Sequence, residues 1–152
     1  MDHRVIPFKV EHLRGLEIQA GQQDEWLGRD IVSEAQYAAL EAFPSFTGID
    51  GERVLGAAGV VPAGIGVCEG WLFGAECLET GGGKWDMLWI AKKIIRFLDA
   101  TKLDPSYMTT RITVKRGWDS AHRFARILGF KSTGSIVYPH NSGHDYLLYE
   151  RH

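Results

Sequence analysis

Few residues in this sequence have both the type and the spacing for chemistry. The stretch "VCEGWLFGAE" carries two carboxylates, Glu69 and Glu76. As a strand it sends Val67, Glu69, Trp71, Phe73 and Ala75 to one face and Cys68, Gly70, Leu72 and Gly74 to the other. Partial burial beside Trp71 and Phe73 would raise the pKa of Glu69 and make it a proton acceptor near neutral pH. The bland alternative is a rim carboxylate. Next comes "LETGGGK", in which Gly81, Gly82, Gly83 and Lys84 directly precede a strong helical pattern. The six histidines do not fall at metal-ligand spacings, and His140 and His144 lie in a turn-rich loop, so no metal site is expected. Cys68 and Cys77 lack the His and Asp/Asn set of a thiol nucleophile. On one strand they would face opposite sides, which argues against a disulfide and for a reduced, cytoplasmic setting.

The elements that must position these residues follow from periodicity. "VIPFKV", 5–10, reads as a strand, and "EHLRGLEIQAGQQ" has Leu13, Leu16 and Ala20 at helical spacing. A second helix follows Asp30 as N-cap, with Val32, Ala35, Ala39 and Phe43 on one face, and stops at Pro44. Asp50-Gly51 is a tight-turn pair between two strand-like runs and predicts a hairpin. The clearest helix runs over 85–102, with Trp85, Leu88, Ala91, Ile95 and Leu98 as its apolar stripe and Lys92, Lys93, Arg96 and Asp99 facing water. Asp104-Pro105 breaks the chain before the strand "YMTTRITVK". In "GWDSAHRFARILGF", Trp118, Ala121, Ala125 and Leu128 face inward, Asp119, His122, Arg123 and Arg126 face outward, and Gly129 caps the end. "KSTGSIVY" and "DYLLYER" close the chain as strands. The order β-α-α-β-β-β-α-β-α-β-β predicts an α/β (α+β) fold: one domain over 1–152 with a mixed twisted sheet of six to seven strands and helices on both faces.

Composition sets outer limits. A chain of 152 residues that is 45% hydrophobic can bury a sizeable core. A net charge of −2 argues against a dedicated nucleic-acid binder. No secretory pattern opens the chain, and no run approaches the roughly 20 apolar residues that span a bilayer, so no membrane partner is expected.

The element order, the hairpin in "FTGIDGERVLGAAGVV" and the strand and helix in "TVKRGWDSAHRFARILGF" resemble the GNAT superfamily of acyl-CoA N-acyltransferases. The likeness covers nearly the whole chain and is greatest to short GNAT-like proteins of phages and prophages, among them relatives of an internal virion protein of short-tailed phages. It implies acetyl-CoA as cofactor and an amine as acceptor. It also implies a pyrophosphate held by backbone N–H groups at a helix N-terminus, where the family has Q/R-x-x-G-x-G/A. Gly81 and Gly83 match that G-x-G, Leu78 stands at the Gln/Arg position, and Lys84 adds a cation. A flexible loop before a helix would look the same. The resemblance further implies a carboxylate base near the central strands, for which Glu69 and Glu76 are the candidates. Where the family often has a tyrosine general acid, this chain has Ala125, and where it often has an asparagine, Trp118. Tyr107, Tyr138, Tyr146 and Tyr149 are replacements by type only. Two functions remain open: an N-acetyltransferase with eroded motifs, or a non-catalytic virion or assembly component that keeps the fold for contacts with phage proteins. Either would act in the host cytoplasm or the virion.

Overall fold

The computed structural model describes residues 2–14, 38–74, 84–138 and 145–152, with Lys84 by its backbone alone. Seven strands form one sheet: β1 (His3–Ile6), β2 (Ser45–Asp50), β3 (Arg53–Gly64), β4 (Val67–Gly74), β5 (Thr109–Lys115), β6 (Lys131–Val137) and β7 (Tyr146–Arg151). The described helices are α1 (Glu11–Arg14), α2 (Lys84–Thr101) and α3 (Asp119–Ile127). The strands lie in the order β1-β2-β3-β4-β5-β7-β6. Neighbours run antiparallel except β4 and β5, which are parallel. The mixed α/β architecture read from the sequence is the one observed.

Local chemistry explains the well-formed parts. The β2–β3 hairpin turns at Gly51, whose φ of 62 lies in the left-handed region where glycine carries no Cβ penalty. Asp104 accepts a hydrogen bond from the Ser106 amide at 2.9 Å and starts a short 3-10 turn at Pro105, so the chain leaves α2 and enters β5 cleanly. At the end of α3, Gly129 has φ of 95.

The parallel seam is the feature that matters most. β4 and β5 pair at only three positions, Val67 with Thr109, Cys68 with Thr110 and Glu69 with Arg111. Beyond them β4 continues to Gly74 and β5 to Lys115 without further pairing to each other. The next residue on β4 is Gly70, where a Cβ would lie 3.0 Å from Ile112 Cγ2 and 3.1 Å from Thr110 Cγ2. A side chain there would have to push the Thr110 and Ile112 side chains aside.

Each face of the sheet has its own core. On one side Phe46, Ala58, Val60 and Cys68 meet Ile90, Ala91, Ile94 and Leu98 of α2 and Ala125 and Leu128 of α3. On the other, Ala57 and Phe73 pack with Phe8 and Leu13, and Trp71 lies against them. Fully buried residues such as Leu55, Val60 and Ile90 each contribute about 1.5–3 kcal/mol.

Several sequence expectations need correction. β1 starts at His3 and ends at Ile6, because Pro7 has no N–H to continue a ladder. The inward stripe of α2 is Asp86, Ile90, Ile94 and Leu98, with Ala91 beside it, while Trp85 and Leu88 are 66% and 44% exposed. The polar Asp86 takes an inward place because it finds partners there, described below. Phe43 is 39% exposed and extended (φ −114, ψ 165), not on a helical stripe; the proline after it enforces this geometry. Of the helices expected near Leu16 and Val32, the greater part lies outside the described residues.

Candidate functional site

A cavity of about 510 Å³ occupies the gap where β4 and β5 part. Its walls come from Gly70, Trp71 and Leu72 of β4, Ile112, Val114 and Lys115 of β5, Ile94 and Phe97 of α2, Ala121 and Ala125 of α3, and Trp118 just before α3. Strand alternation puts Leu72 on the α2–α3 face and Trp71 and Phe73 on the opposite face. Both sets line the cavity, so it opens through the sheet. The three-residue seam creates this passage, and apolar side chains line most of it.

Glu69 sits on the last rung of the seam, opposite Arg111, immediately before the strands diverge. It is exposed, as the rim reading of the sequence has it and not partly buried, because its alternating face runs out from under the aromatic cluster at this end of β4. Arg111 Nε donates to Glu150 Oε1 at 3.0 Å, and among the described residues Glu69 has no ion-pair partner. Its carboxylate faces water, and the cavity lining begins at the next residue, Gly70. Glu76, Cys77, Gly81, Gly82 and Gly83 lie outside the described residues. Lys84 is the first residue of α2, so the glycine run directly precedes a helix start.

The four tyrosines separate clearly. Tyr107 is buried under the sheet, with its pKa raised by burial. Tyr138 is 72% exposed. Tyr149 is buried and committed to a hydrogen bond with His122. Tyr146 alone of the four lines the cavity, where it is 3% exposed and pairs in register with Lys115. Ala125 also lines the cavity, and being 2% exposed it puts a methyl group where a longer side chain would reach in.

Three histidines have defined roles that sequence reasoning missed. His122, expected to face water, is 7% exposed. Its Nε2–H donates to the Lys115 carbonyl at 3.0 Å, leaving Nδ1 to accept from the Tyr149 hydroxyl at 2.7 Å. This bridge ties α3 to β5 and β7, two walls of the cavity. His12 Nδ1 accepts from the Lys9 amide at 3.1 Å and the Thr47 hydroxyl at 2.7 Å, and burial lowers its pKa. His3 Nε2 lies 2.6 Å from Asp86 Oδ1 in the first turn of α2, while Arg53 Nη2 donates to Asp86 Oδ2 at 3.0 Å and Asp50 Oδ2 at 3.3 Å. The His3, Asp50 and Asp86 ligand atoms all lie within 4.8 Å of one another, the spacing of a metal site. The guanidinium already serves both carboxylates, and 2.6 Å is a hydrogen-bond distance, so the cluster is an ion-pair network that fixes the start of α2 to β1 and β3. No local pattern could reveal it, because its members come from distant parts of the chain.

No family model matches the sequence, and no curated protein matches it either. Solved structures do match. A ribosomal-protein-alanine N-acetyltransferase from Brucella melitensis superposes with a TM-score of 0.69 at 14% identity, over 97% of this chain and 98% of the other. The fold is that of the GNAT acetyltransferases. A GNAT-family acetyltransferase from Bacillus anthracis gives 0.68 at 9% identity, over 99% and 94% of the two chains. A GNAT phosphinothricin acetyltransferase from Sinorhizobium meliloti, in complex with acetyl-CoA, gives 0.65 at 13% identity, over 99% and 88%. Among the described residues no helix is long and apolar enough to cross a membrane.

Proposed function

We propose that this chain is an N-acetyltransferase of GNAT type that takes acetyl-CoA as donor and an amine as acceptor. The observation that carries the reading is the apolar cleft through the sheet at the end of the three-residue seam. Its residues fit the proposed donor. Leu72, Ile112 and Ala121 offer an apolar channel to a pantetheine arm. Gly81, Gly82, Gly83 and Lys84 lead in sequence into the start of α2, and their backbone N–H groups with the helix dipole would hold the pyrophosphate. Acetyl-CoA supplies an activated thioester. Glu69, solvated at the edge of the cleft, takes a proton from the ammonium acceptor through water, with Glu76 as the second candidate. Tyr146, buried in the cleft wall, supplies the hydroxyl that returns a proton to the departing thiolate, a step Ala125 cannot perform.

A second reading draws on Ala125. A methyl at that place donates no proton, which suits a fold kept for protein contacts, such as those of a virion or assembly component, and not for catalysis. Calorimetry with acetyl-CoA, followed by single-turnover transfer to amines, separates the two. Binding that falls more than tenfold in Gly83→Asp, together with measurable transfer, supports the enzyme. No binding at millimolar acetyl-CoA supports the contact protein.

A further inference from the structure

A second groove, of about 450 Å³, runs between α3 and the sheet and is bounded by Gly117, Asp119, His122, Arg123, Arg126 and Leu147. Arg123 and Arg126 are exposed and stand about one helical turn apart, with Cβ atoms about 5–6 Å from each other. Arg53, Arg111, Arg116 and Arg151 each meet a carboxylate at 3.4 Å or less. Among the described residues the guanidinium groups of Arg123 and Arg126 meet none. The apolar side of the groove follows from strand register. Val114 of β5, Leu147 of β7 and Ile136 of β6 lie directly opposite one another, so all three share the α3 face. Val114 is buried, Leu147 is half-buried and Ile136 is 43% exposed. The helix thus covers the start of this row and leaves its end as an open apolar ledge.

We propose that this groove docks an acidic peptide segment of a partner protein, with its carboxylates on Arg123 and Arg126 and an apolar side chain on Leu147 and Ile136. Two arginines against one carboxylate, Asp119, make the groove positive in a chain whose net charge is −2, so its complement is anionic. Guanidinium groups pair with carboxylates through two parallel hydrogen bonds, which fixes the segment's register as well as its charge. The concave shape admits a peptide and keeps out a flat membrane surface, and the ledge offers nothing to a sugar–phosphate backbone. The strand itself works against a second copy pairing edge to edge along β6. Its register shifts between Ser132 and Ile136, and Gly134 has φ of 82, an irregularity of the kind that blunts an open edge. The inference stands apart from the acyl-transfer reading, because neither Arg126 nor Ile136 lines the cleft.

The test is a fluorescence-anisotropy titration of the full-length protein with a labelled heptapeptide of glutamates around a central leucine. Two control peptides replace the glutamates by lysines or the leucine by alanine. The glutamate peptide should bind, and the lysine peptide should not. Arg126→Glu should weaken binding by more than about tenfold, Ile136→Ser by about threefold, and the alanine peptide should lose about as much as Ile136→Ser. Both substituted residues are exposed, so the variants should keep the fold. If Arg126→Glu does not fold, Arg126→Gln takes its place, with an expected loss of about threefold or more. With isoleucine methyl groups labelled for NMR, the Ile136 signal should move on binding. Equal binding of the lysine peptide, no binding of the glutamate peptide at millimolar concentration, or unchanged affinity in the Arg126 variant overturns the proposal. So does displacement of the peptide by equimolar CoA, which would give Arg123 to the cofactor, or a dimer that Arg126→Glu breaks, which would seat a second copy there.

Discussion

Replacing His122 by alanine should destabilise the protein by about 2–4 kcal/mol. The bridge has two arms, Nδ1 accepting from Tyr149 at 2.7 Å and Nε2–H donating to Lys115 at 3.0 Å. Tyr149 is 1% exposed, so the variant leaves its hydroxyl with no water to turn to, at a cost of about 1–3 kcal/mol. Loss of the ring and of the second arm adds the remainder. With a urea slope of about 1–3 kcal/mol/M, the unfolding midpoint should fall by roughly 0.7–4 M. Tyr149→Phe removes the donor but not the histidine, and the double variant should be less destabilised than the sum of the singles by about 0.5–3 kcal/mol. The measurement is equilibrium urea unfolding of all four proteins. A His122→Ala midpoint within 0.3 M of wild type, or strictly additive variants, would show that the bridge is geometrically present and energetically idle.

Three further outcomes are expected. Ala125→Tyr should either raise acetyl transfer, by up to about 10²-fold if the ring enters an open donor channel, or cost about 1–3 kcal/mol by overpacking; parallel turnover and thermal unfolding distinguish these, and a silent substitution would contradict the cavity. Tyr146→Phe should lower single-turnover transfer by about 10²-fold while acetyl-CoA affinity, read by calorimetry, stays within about threefold; undiminished transfer would remove Tyr146 as proton donor. Burial holds the His12 pKa below 6.5, so the folded state binds its proton less readily than the unfolded state does. Its stabilising contribution is complete above pH 6.5 and is lost as pH falls through the lowered folded value. Urea unfolding at pH 7.5 and 5.5 should show this loss in wild type and a smaller one in His12→Asn, whose amide oxygen still accepts from Lys9; equal losses would exclude His12.

What the sequence made legible was local or periodic. Asp50-Gly51 announced the hairpin, Asp104-Pro105 the break before β5, and Gly129 the end of α3, because each acts through its own backbone. Hydrophobic periodicity located α2 but rotated its buried stripe. Trp85 and Leu88 look like core residues by type, while Asp86 looks like surface until His3 and Arg53 are known to reach it. His122 failed for the same reason: its two partners, Lys115 and Tyr149, arrive only when β5 and β7 are paired. The site was legible as a set of candidates, not as an arrangement. Nothing in the sequence separated Tyr146 from the other tyrosines, since that distinction depends on where two strands part.

The seam has a consequence for how the protein assembles. Strands β1 to β4 form one antiparallel ribbon linked by short turns, apart from the long connection between β1 and β2, and β5, β7 and β6 form another. Three rungs of parallel pairing join them, across a chain separation that spans all of α2. Closing that long loop costs entropy before the rungs repay it. The two ribbons can therefore mature as separate cooperative units, with their junction closing last and opening first. Amide exchange should then find the protons of Cys68 and Thr110 less protected than those at the β3–β4 centre, although Cys68 is fully buried. The opening that makes room for a ligand would also be the line along which the molecule comes apart.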